Sequence, residues 1–137
     1  MTNLDFTALE KSINRLGEVL ERFSREKNDD VVRDSVIQRF EFTYSLTLKT
    51  LRKYFIERAF IVDDVNNLSF NEMIRIASRL KLINSDLEKW TQYRTMRNLT
   101  SHTYDEEIAL KVISIVPDFY NEIKFMLAQL KDSDNND

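Results

Sequence analysis

Apolar residues spaced three and four positions apart recur along most of this chain. The longest series spans residues 31–60, where one helix face would carry Val32, Val36, Phe40, Tyr44, Leu48, Leu51 and Phe55. This spacing is typical of a helix that buries one side. Because the sequence holds only one glycine and one proline, it also lacks the residues that frequent tight turns require. Together these features predict an all-α fold.

The same spacing divides the chain into four main helices and one shorter helix. We expect helices over 5–27 and 31–60, a short helix from Ser69, a helix from Leu87 toward Arg97, and a last helix from 105–107 to Leu130. The expected breaks lie at 28–30, 63–68 and 81–84. The prediction is a single domain over residues 1–131, an antiparallel up-down four-helix bundle with one additional short helix. The acidic tail, 132–137, is expected to be disordered.

Several helix starts carry capping signals. A Ser or Thr followed three residues later by Glu has the spacing of a capping box. That spacing occurs in the pairs Thr7 and Glu10, Ser69 and Glu72, and Ser85 and Glu88. Asn3 and Asp5 are rival caps for the first helix, and 28–30 can cap the second.

The second helix is apolar on more than one side. Its main face is widened by Ile37, Phe42, Leu46 and Tyr54. A helix of this kind is buried on more than one side, so it is either central in the bundle or meets another chain. The polar residues Gln38, Arg39 and Glu41 interrupt this surface and are either solvated positions or part of a shared cleft.

Composition excludes several classes of site. The chain has no cysteine and one histidine, so it cannot form disulfides or thiolate metal sites, and no Asp/Glu cluster has a convincing ligand spacing. We therefore expect no metal and no cofactor. No apolar run approaches the ~18–20 residues of a membrane span and no signal peptide opens the chain, which predicts a cytoplasmic protein without membrane contact.

The net charge of −3 hides an asymmetry. Residues 33–97 carry twelve Lys or Arg against eight Asp or Glu, whereas the segment after His102 carries eight acids against three bases. A basic middle could serve a nucleic-acid binder, although charge on solvated helix faces explains the same counts.

The most distinctive stretch is R-N-L-T-S-H-T-Y-D, residues 97–105, which contains the only histidine. Arg97 offers a planar cationic fork suited to phosphate. His102 is the side-chain type that exchanges protons near neutral pH. Tyr104 adds a hydroxyl that can donate, accept or be modified. The candidate supporting residues are Asn98, Ser101, Asp105, Arg39 and Glu41.

The spacing of this stretch raises a geometric question. Five residues turn a straight helix by roughly 140° beyond a full turn, so Arg97 and His102 would not share a face. Either the helix ends near Ser101 and His102 swings round on the connection, or a second copy of the chain completes the site. Both can hold together.

Two segments of the sequence resemble the signatures of a known family. R-N-L-T-S-H-T-Y (97–104) is similar to the R-x4-6-H motif, with its following x-Y, of the HEPN superfamily. D-S-V-I-Q-R-F-E-F-T-Y (34–44), followed by K-T-L-R (49–52), resembles the second-helix signature of the branch of nucleotidyltransferase substrate-binding proteins. The likeness extends from about Leu9 to Leu130. It implies an up-down bundle that forms a homodimer, with both motifs near the two-fold cleft.

The resemblance also implies a function. Active HEPN members are metal-independent ribonucleases, and this branch includes toxins of HEPN/MNT toxin–antitoxin pairs, whose partner is an MNT-type nucleotidyltransferase. In such toxins the motif tyrosine, here Tyr104, can be adenylylated by the partner. The expected function is therefore an endoribonuclease toxin with Arg97 and His102 as catalytic residues. The alternatives are a non-catalytic substrate-binding subunit of a two-component nucleotidyltransferase, which would bind a nucleotide, and a purely structural helical protein.

Overall fold

The computed structural model describes residues 4–58 and 67–135, and the regular structure in them is helical throughout. The elements are α1 (Thr7–Arg25), α2 (Asp30–Glu57), α3 (Phe70–Arg79), α4 (Leu87–Leu99), a 3-10 turn (Thr100–His102) and α5 (Glu106–Asn135). Four longer helices and the short α3 confirm the predicted all-α fold. The end of the helix expected over 31–60, and most of the linker expected at 63–68, lie outside the described residues.

The helix caps agree only in part with the sequence signals. Ser69 and Glu72 form the predicted capping box at α3. At α4 the predicted box is wrong, because Asp86 is the cap and its Oδ1 accepts the amide of Lys89 at 2.9 Å. At α1 the Thr7–Glu10 box is also wrong, because Phe6 occupies the N-cap position with no side-chain cap hydrogen bond in the described residues. Of the rival caps, Asp5 lies one residue earlier and accepts the amide of Thr7 at 2.9 Å, whereas Asn3 lies outside the described residues.

Helix α2 is the centre of the bundle. It packs against α1, α3, α4, the 3-10 turn and α5. Of the residues that widen its apolar surface, Ile37 and Tyr54 are buried, Leu46 is half-buried and only Phe42 stands free, 64% exposed. The first sequence alternative, a central helix, therefore accounts for most of the wide face without a second chain.

The core beneath the site is aromatic. Phe119 of α5 meets Phe40 of α2 edge-on with ring centroids 5.0 Å apart, and Tyr93 of α4 at 5.4 Å. Trp90 packs on Tyr93 at 5.2 Å. Trp90 and Phe119 are fully buried. These contacts fix α4 against α2 and α5, the arrangement that positions the end of α4.

A buried carboxylate ties α4 to α5. Glu122 is 4% exposed and accepts hydrogen bonds from the amides of Asn84 and Ser85, from the Ser85 hydroxyl, and from Trp90 Nε1 at 3.0 Å. Each of these donors would be left unpaired in the core without it. Glu122 therefore anchors the start of α4.

The only glycine lies inside a helix rather than in a turn. A Cβ on Gly17 of α1 would collide with the ring and hydroxyl of Tyr120 on α5. The residue thus permits a close approach of α1 and α5.

The prediction of a disordered tail from Asp132 is wrong for residues 132–135, which continue α5. The Ser133 hydroxyl lies 2.5 Å from that of Tyr54, and Arg58 donates to Asp134 at 2.9 Å with both side chains only 14% exposed. These half-buried contacts order the segment. Residues 136–137 lie outside the described part of the chain.

Across residues 4–58 and 67–135, none of the helices has both the length and the apolar character needed to cross a bilayer.

Candidate active site

The motif lies where α4 ends and the chain turns into α5. The α-helix stops at Leu99 and tightens into the 3-10 turn, where the Thr100 hydroxyl donates to the Arg97 carbonyl at 2.7 Å. The amide of Asp105 then donates to the His102 carbonyl at 3.1 Å. This is the first of the two geometric alternatives, since the helix ends before His102 and the histidine sits on the connection.

His102 and Tyr104 both face solvent. Their rings lie 6.1 Å apart, centroid to centroid, at an interplanar angle of 65°. Tyr104 is 86% exposed, the most exposed of the large hydrophobic side chains in the described residues. A phenol placed in this way is open to a second macromolecule or to a modifying enzyme.

Arg97 is held near the same surface by an acidic residue of α2. Its Nη1 lies 3.7 Å from Glu41 Oε2, and the two side chains are 35% and 41% exposed. The same Oε2 accepts the Thr100 hydroxyl at 3.0 Å. Because 3.7 Å is longer than a hydrogen bond, the Arg97–Glu41 contact orients the guanidinium and leaves its donors for an incoming anion.

A second arginine adds to the positive field at this end of α4. Burial raises the pKa of the Tyr44 hydroxyl to about 12, while the nearby charges of Arg94 and Arg97 act in the opposite direction. Arg94 also lies over the ring of Phe70, with its Cζ 4.9 Å from the centroid. The end of α4 is thus a cationic position over a buried aromatic layer.

A polar cleft of about 360 Å³ runs beside Tyr104. Its walls come from α2 and from the connection after α4, and its lining residues are Arg33, Asp34, Ile37, Gln38, Glu41, Thr100, Thr103 and Tyr104. We call it the tyrosine cleft. It brings Glu41, one of the predicted supporting residues, together with Thr100 and Tyr104 within one chain.

Arg33, which no sequence pattern indicated as functional, lines the tyrosine cleft. Its Nη1 lies 3.3 Å from Glu106 at the start of α5, and its Nε lies 3.6 Å from Asp34. That Nε is buried and has no hydrogen-bond partner among residues 4–58 and 67–135. Arg33 therefore links α2 to the start of α5 next to the cleft that Tyr104 also lines. Its partner Glu106 is seventy-three residues away, and no local sequence pattern could have revealed the pair.

The remaining predicted supporting residues divide. Asp105 caps α5, because its Oδ1 accepts the amides of Glu107 at 3.0 Å and Ile108 at 3.4 Å. Asn98 and Ser101 lie within the motif and are exposed. Arg39 is not brought to Arg97, since its Nη1 donates to the carbonyl of Arg15 on α1 at 2.8 Å. Residues 39 and 41 point about 200° apart on a helix, so only Glu41 faces the site.

No group of three or more His, Asp or Glu side chains that could hold a metal ion occurs in residues 4–58 and 67–135. The chemistry that this surface itself offers is the charge of Arg97, proton exchange at His102 and the hydroxyl of Tyr104.

Comparison with known proteins connects this arrangement to a family. The family model described as nucleotidyltransferase substrate binding protein like matches residues 4–132. A curated relative, probable ribonuclease HepT of Haemophilus influenzae, is 36% identical over 136 residues, which cover 96% of this chain and 90% of the relative.

A solved structure from Haemophilus influenzae, described as the fold of a substrate binding domain of a nucleotidyltransferase, is also similar. It superposes with a TM-score of 0.85 at 34% identity and covers 93% of this chain and 99% of its own. The chain therefore belongs to the nucleotidyltransferase substrate-binding protein-like family, within the HEPN superfamily that its motif resembles.

Proposed function

We propose that the protein is a HEPN-type toxin, a metal-independent endoribonuclease that acts as a homodimer in the cytoplasm and is neutralised by an MNT-type nucleotidyltransferase. The observation that carries the proposal is the combination at one helix end of an oriented guanidinium with free donors, an exposed imidazole and an exposed phenol. The relationship to probable ribonuclease HepT supports the same conclusion.

The chemistry required is cleavage of the RNA backbone by its own 2′-hydroxyl. The 2′-oxygen attacks phosphorus, the bond from phosphorus to the 5′-oxygen breaks, and a 2′,3′-cyclic phosphate forms. One group must take the 2′-hydroxyl proton and another must give a proton to the leaving oxygen. Arg97 would stabilise the charge that develops on the phosphate, since its planar fork matches two phosphate oxygens.

One chain has a single imidazole, so it cannot supply both proton-transferring groups by histidine. Two protomers would supply two His102 and two Arg97 around one phosphate. We therefore expect a homodimer, with light scattering at micromolar concentration giving about twice the chain mass of 16.3 kDa. A strict monomer that still cut RNA would refute the composite site.

Neutralisation would act at Tyr104. The partner would use ATP, so that the phenol oxygen of Tyr104 attacks the α-phosphorus, pyrophosphate leaves and the phenol proton is released. The exposure of Tyr104 makes this reaction sterically open. The added AMP would bring negative charge and bulk beside His102, which lies 6.1 Å away ring to ring, and would exclude the RNA phosphate.

The test is cleavage of single-stranded, structured and transfer RNAs by partner-free protein, with Tyr104 verified as unmodified by mass spectrometry. We expect cutting that persists in excess chelator. His102→Ala should reduce the rate by the ~10²–10⁴-fold typical of losing a general acid or base. Arg97→Lys should also impair cleavage, because lysine keeps the charge but not the bidentate fork. The exposed Lys111→Ala on α5 is the control.

Because His102 is exposed, the melting temperature of His102→Ala should stay close to that of the wild type. Intact RNA in every substrate class would refute the ribonuclease proposal.

A second candidate is a non-catalytic substrate-binding subunit of a two-component nucleotidyltransferase. It is favoured by the family description and by the polar tyrosine cleft, which could hold a nucleotide. In that case the wild-type protein cuts no RNA, and His102→Ala or Arg97→Lys weakens only the binding of a nucleotide or of the transferase. Isothermal titration calorimetry of the purified protein with ATP separates the two candidates. Binding of ATP by a protein that cuts no RNA would favour the second candidate.

A further inference from the structure

A second groove lies on the outer side of α2, between α1 and α2. It has a volume of about 600 Å³, and its principal lining residues are Lys11, Arg15, Gln38, Arg39, Phe42 and Leu46. We call it the cationic groove. Three of its lining side chains are cations and none is an acid, although the whole chain has a net charge of −3.

No acidic side chain of the described residues forms an ion pair with the cations of this groove. Arg39 donates to the carbonyl of Arg15 at 2.8 Å, which holds one guanidinium beside the backbone of the other arginine. Neither arginine, nor Lys11, has an ion-pair partner within 4 Å in the described part of the chain. Like charges gathered without a counter-ion repel one another, so the arrangement is suited to a polyanion.

The groove also presents an aromatic ring to solvent. Phe42 is 64% exposed, whereas Leu46, one turn further along α2, is half-buried. A flat exposed ring beside cations is the combination that proteins use for single-stranded nucleic acid, in which bases stack on the ring and phosphates meet the cations.

The cationic groove adjoins the tyrosine cleft. Gln38 lines both of them, so the two depressions meet across one residue of α2. A strand lying in the cationic groove would therefore continue toward Tyr104 and the end of α4. An acidic protein segment could also bind the cations, but it would gain nothing from this continuity, and for that reason we favour RNA.

We propose that the cationic groove is an RNA-binding track that extends the active site, with Lys11, Arg15 and Arg39 on the phosphates and Phe42 stacking on a base. The inference rests on the proposed ribonuclease function, since it states where the part of the same RNA that lies outside the active site is bound. It predicts that the protein binds long single strands more tightly than short ones.

The experiment measures binding rather than cleavage, so that it can succeed or fail independently of catalysis. The probe is a fluorescein-labelled, fully 2′-O-methylated single-stranded RNA of sixteen nucleotides, which lacks the attacking hydroxyl, and anisotropy gives its affinity for the full-length protein. Arg15→Gln/Arg39→Gln should weaken binding about tenfold or more. It should also lower the slope of log affinity against log salt by about 1.4, because each contact on single strands contributes roughly 0.7.

The matched control is Arg75→Gln/Arg79→Gln, which removes the same charge from two exposed positions on α3. It should leave the salt slope within about 0.3 of the wild type. Phe42→Leu, which keeps an apolar side chain but no ring, should weaken binding by about tenfold, whereas Phe42→Tyr should preserve it. Because Phe42 is exposed, circular dichroism should be unchanged in both variants.

Equal losses in the groove variants and in the α3 control would overturn the proposal, because they would reflect general charge alone. The groove variants could instead keep RNA binding and lose the binding of a co-expressed nucleotidyltransferase. That result would mean that the groove binds an acidic protein surface, and it would also overturn the proposal. So would a fall to monomer mass in light scattering, which would assign the groove to a second copy of the chain. If the wild type cuts no RNA but the groove variants lose the probe, the track stands and only the catalytic proposal fails.

Discussion

Glu41 shares one carboxylate oxygen between two parts of the candidate site. Its Oε2 accepts the Thr100 hydroxyl at 3.0 Å and lies 3.7 Å from Arg97 Nη1. The first contact is a hydrogen bond that holds the carboxylate to the turn that carries His102. The second is an ion pair longer than a hydrogen bond, which orients the guanidinium toward the carboxylate. Glu41 is therefore a positioning residue that couples the direction of Arg97 to the conformation of the turn.

Glu41→Gln should lower RNA cleavage roughly tenfold, because misplacement of a phosphate-binding group by a fraction of an ångström already slows such reactions. Glutamine keeps an acceptor for Thr100 but loses the charge that orients Arg97. Stability should change by less than about 1 kcal/mol, since both partners are more than a third exposed. Cleavage rates and urea unfolding measure the two effects. Unchanged cleavage would show that Arg97 is positioned by other groups.

At the residue scale, the sequence could identify types of side chain but not their directions. Arg97, His102 and Tyr104 were found because their motif is local. Arg39 and Glu41 were equally plausible neighbours, and only the rotational phase of α2 against α4 decides that Glu41 faces the site while Arg39 turns to α1. That phase is set by core packing around Phe40 and Phe119, which lie seventy-nine positions apart in the sequence.

At the level of helices, α3 ends in an unusual way. Lys81 has a φ of +60°, a left-handed conformation that favours glycine. The amide of Leu82 donates to the Ala77 carbonyl at 2.9 Å and that of Lys81 to Ser78 at 3.0 Å, the pattern of a Schellman motif. The helix thus ends in a left-handed residue, a conformation that costs free energy for a lysine because of its Cβ.

Lys81→Gly should therefore stabilise the protein by about 1 kcal/mol, because glycine relieves the left-handed strain while its greater unfolded-state entropy offsets part of the gain. The melting temperature should rise by roughly 3 °C. Calorimetry measures the change, and Arg79→Gly, two residues earlier and still helical, is the control that should lower it. A decrease in Lys81→Gly would mean that the lysine side chain contributes more than its backbone costs.

Helix starts show why local patterns fail in particular places. The sequence around Ser85 satisfies the capping-box spacing, but its amide and hydroxyl are occupied by Glu122, thirty-seven residues away. Asp86 takes over the cap as a result. The box at Ser69 forms because its residues are exposed and no distant group in the described part of the chain bonds to them. Element existence was thus predictable, whereas caps beside the core depended on long-range contacts.

At the scale of the whole molecule, two buried tyrosines should limit stability in alkali. Burial raises the pKa of Tyr44 and of Tyr93 to about 12 in the folded protein, against a usual value near 10 in the unfolded chain. Below pH 10 both states keep the protons, so these groups produce no pH dependence. Between pH 10 and 12 the unfolded state releases protons that the folded state retains, which favours unfolding.

The free energy of unfolding should accordingly fall by about 1.4 kcal/mol per pH unit for each tyrosine across that window. Urea titrations at intervals from pH 9 to 12 measure the slope. Tyr44→Phe should remove about half of it and leave the contribution of Tyr93. A slope unaffected by the substitution would show that alkaline unfolding comes from other groups.

The single imidazole on the turn after α4 has one further consequence, for symmetry. In a two-fold dimer the two His102 rings are equivalent, so a proton–carbon correlation spectrum should contain one imidazole Cε1–H signal. A strand of RNA has a direction and cannot bind both protomers alike, so one ring would face the 2′-oxygen and the other the leaving oxygen. Substrate binding should therefore split the one signal into two of equal intensity. The two signals would show directly that the His102 rings of two identical chains have different roles, without any added label on the protein surface.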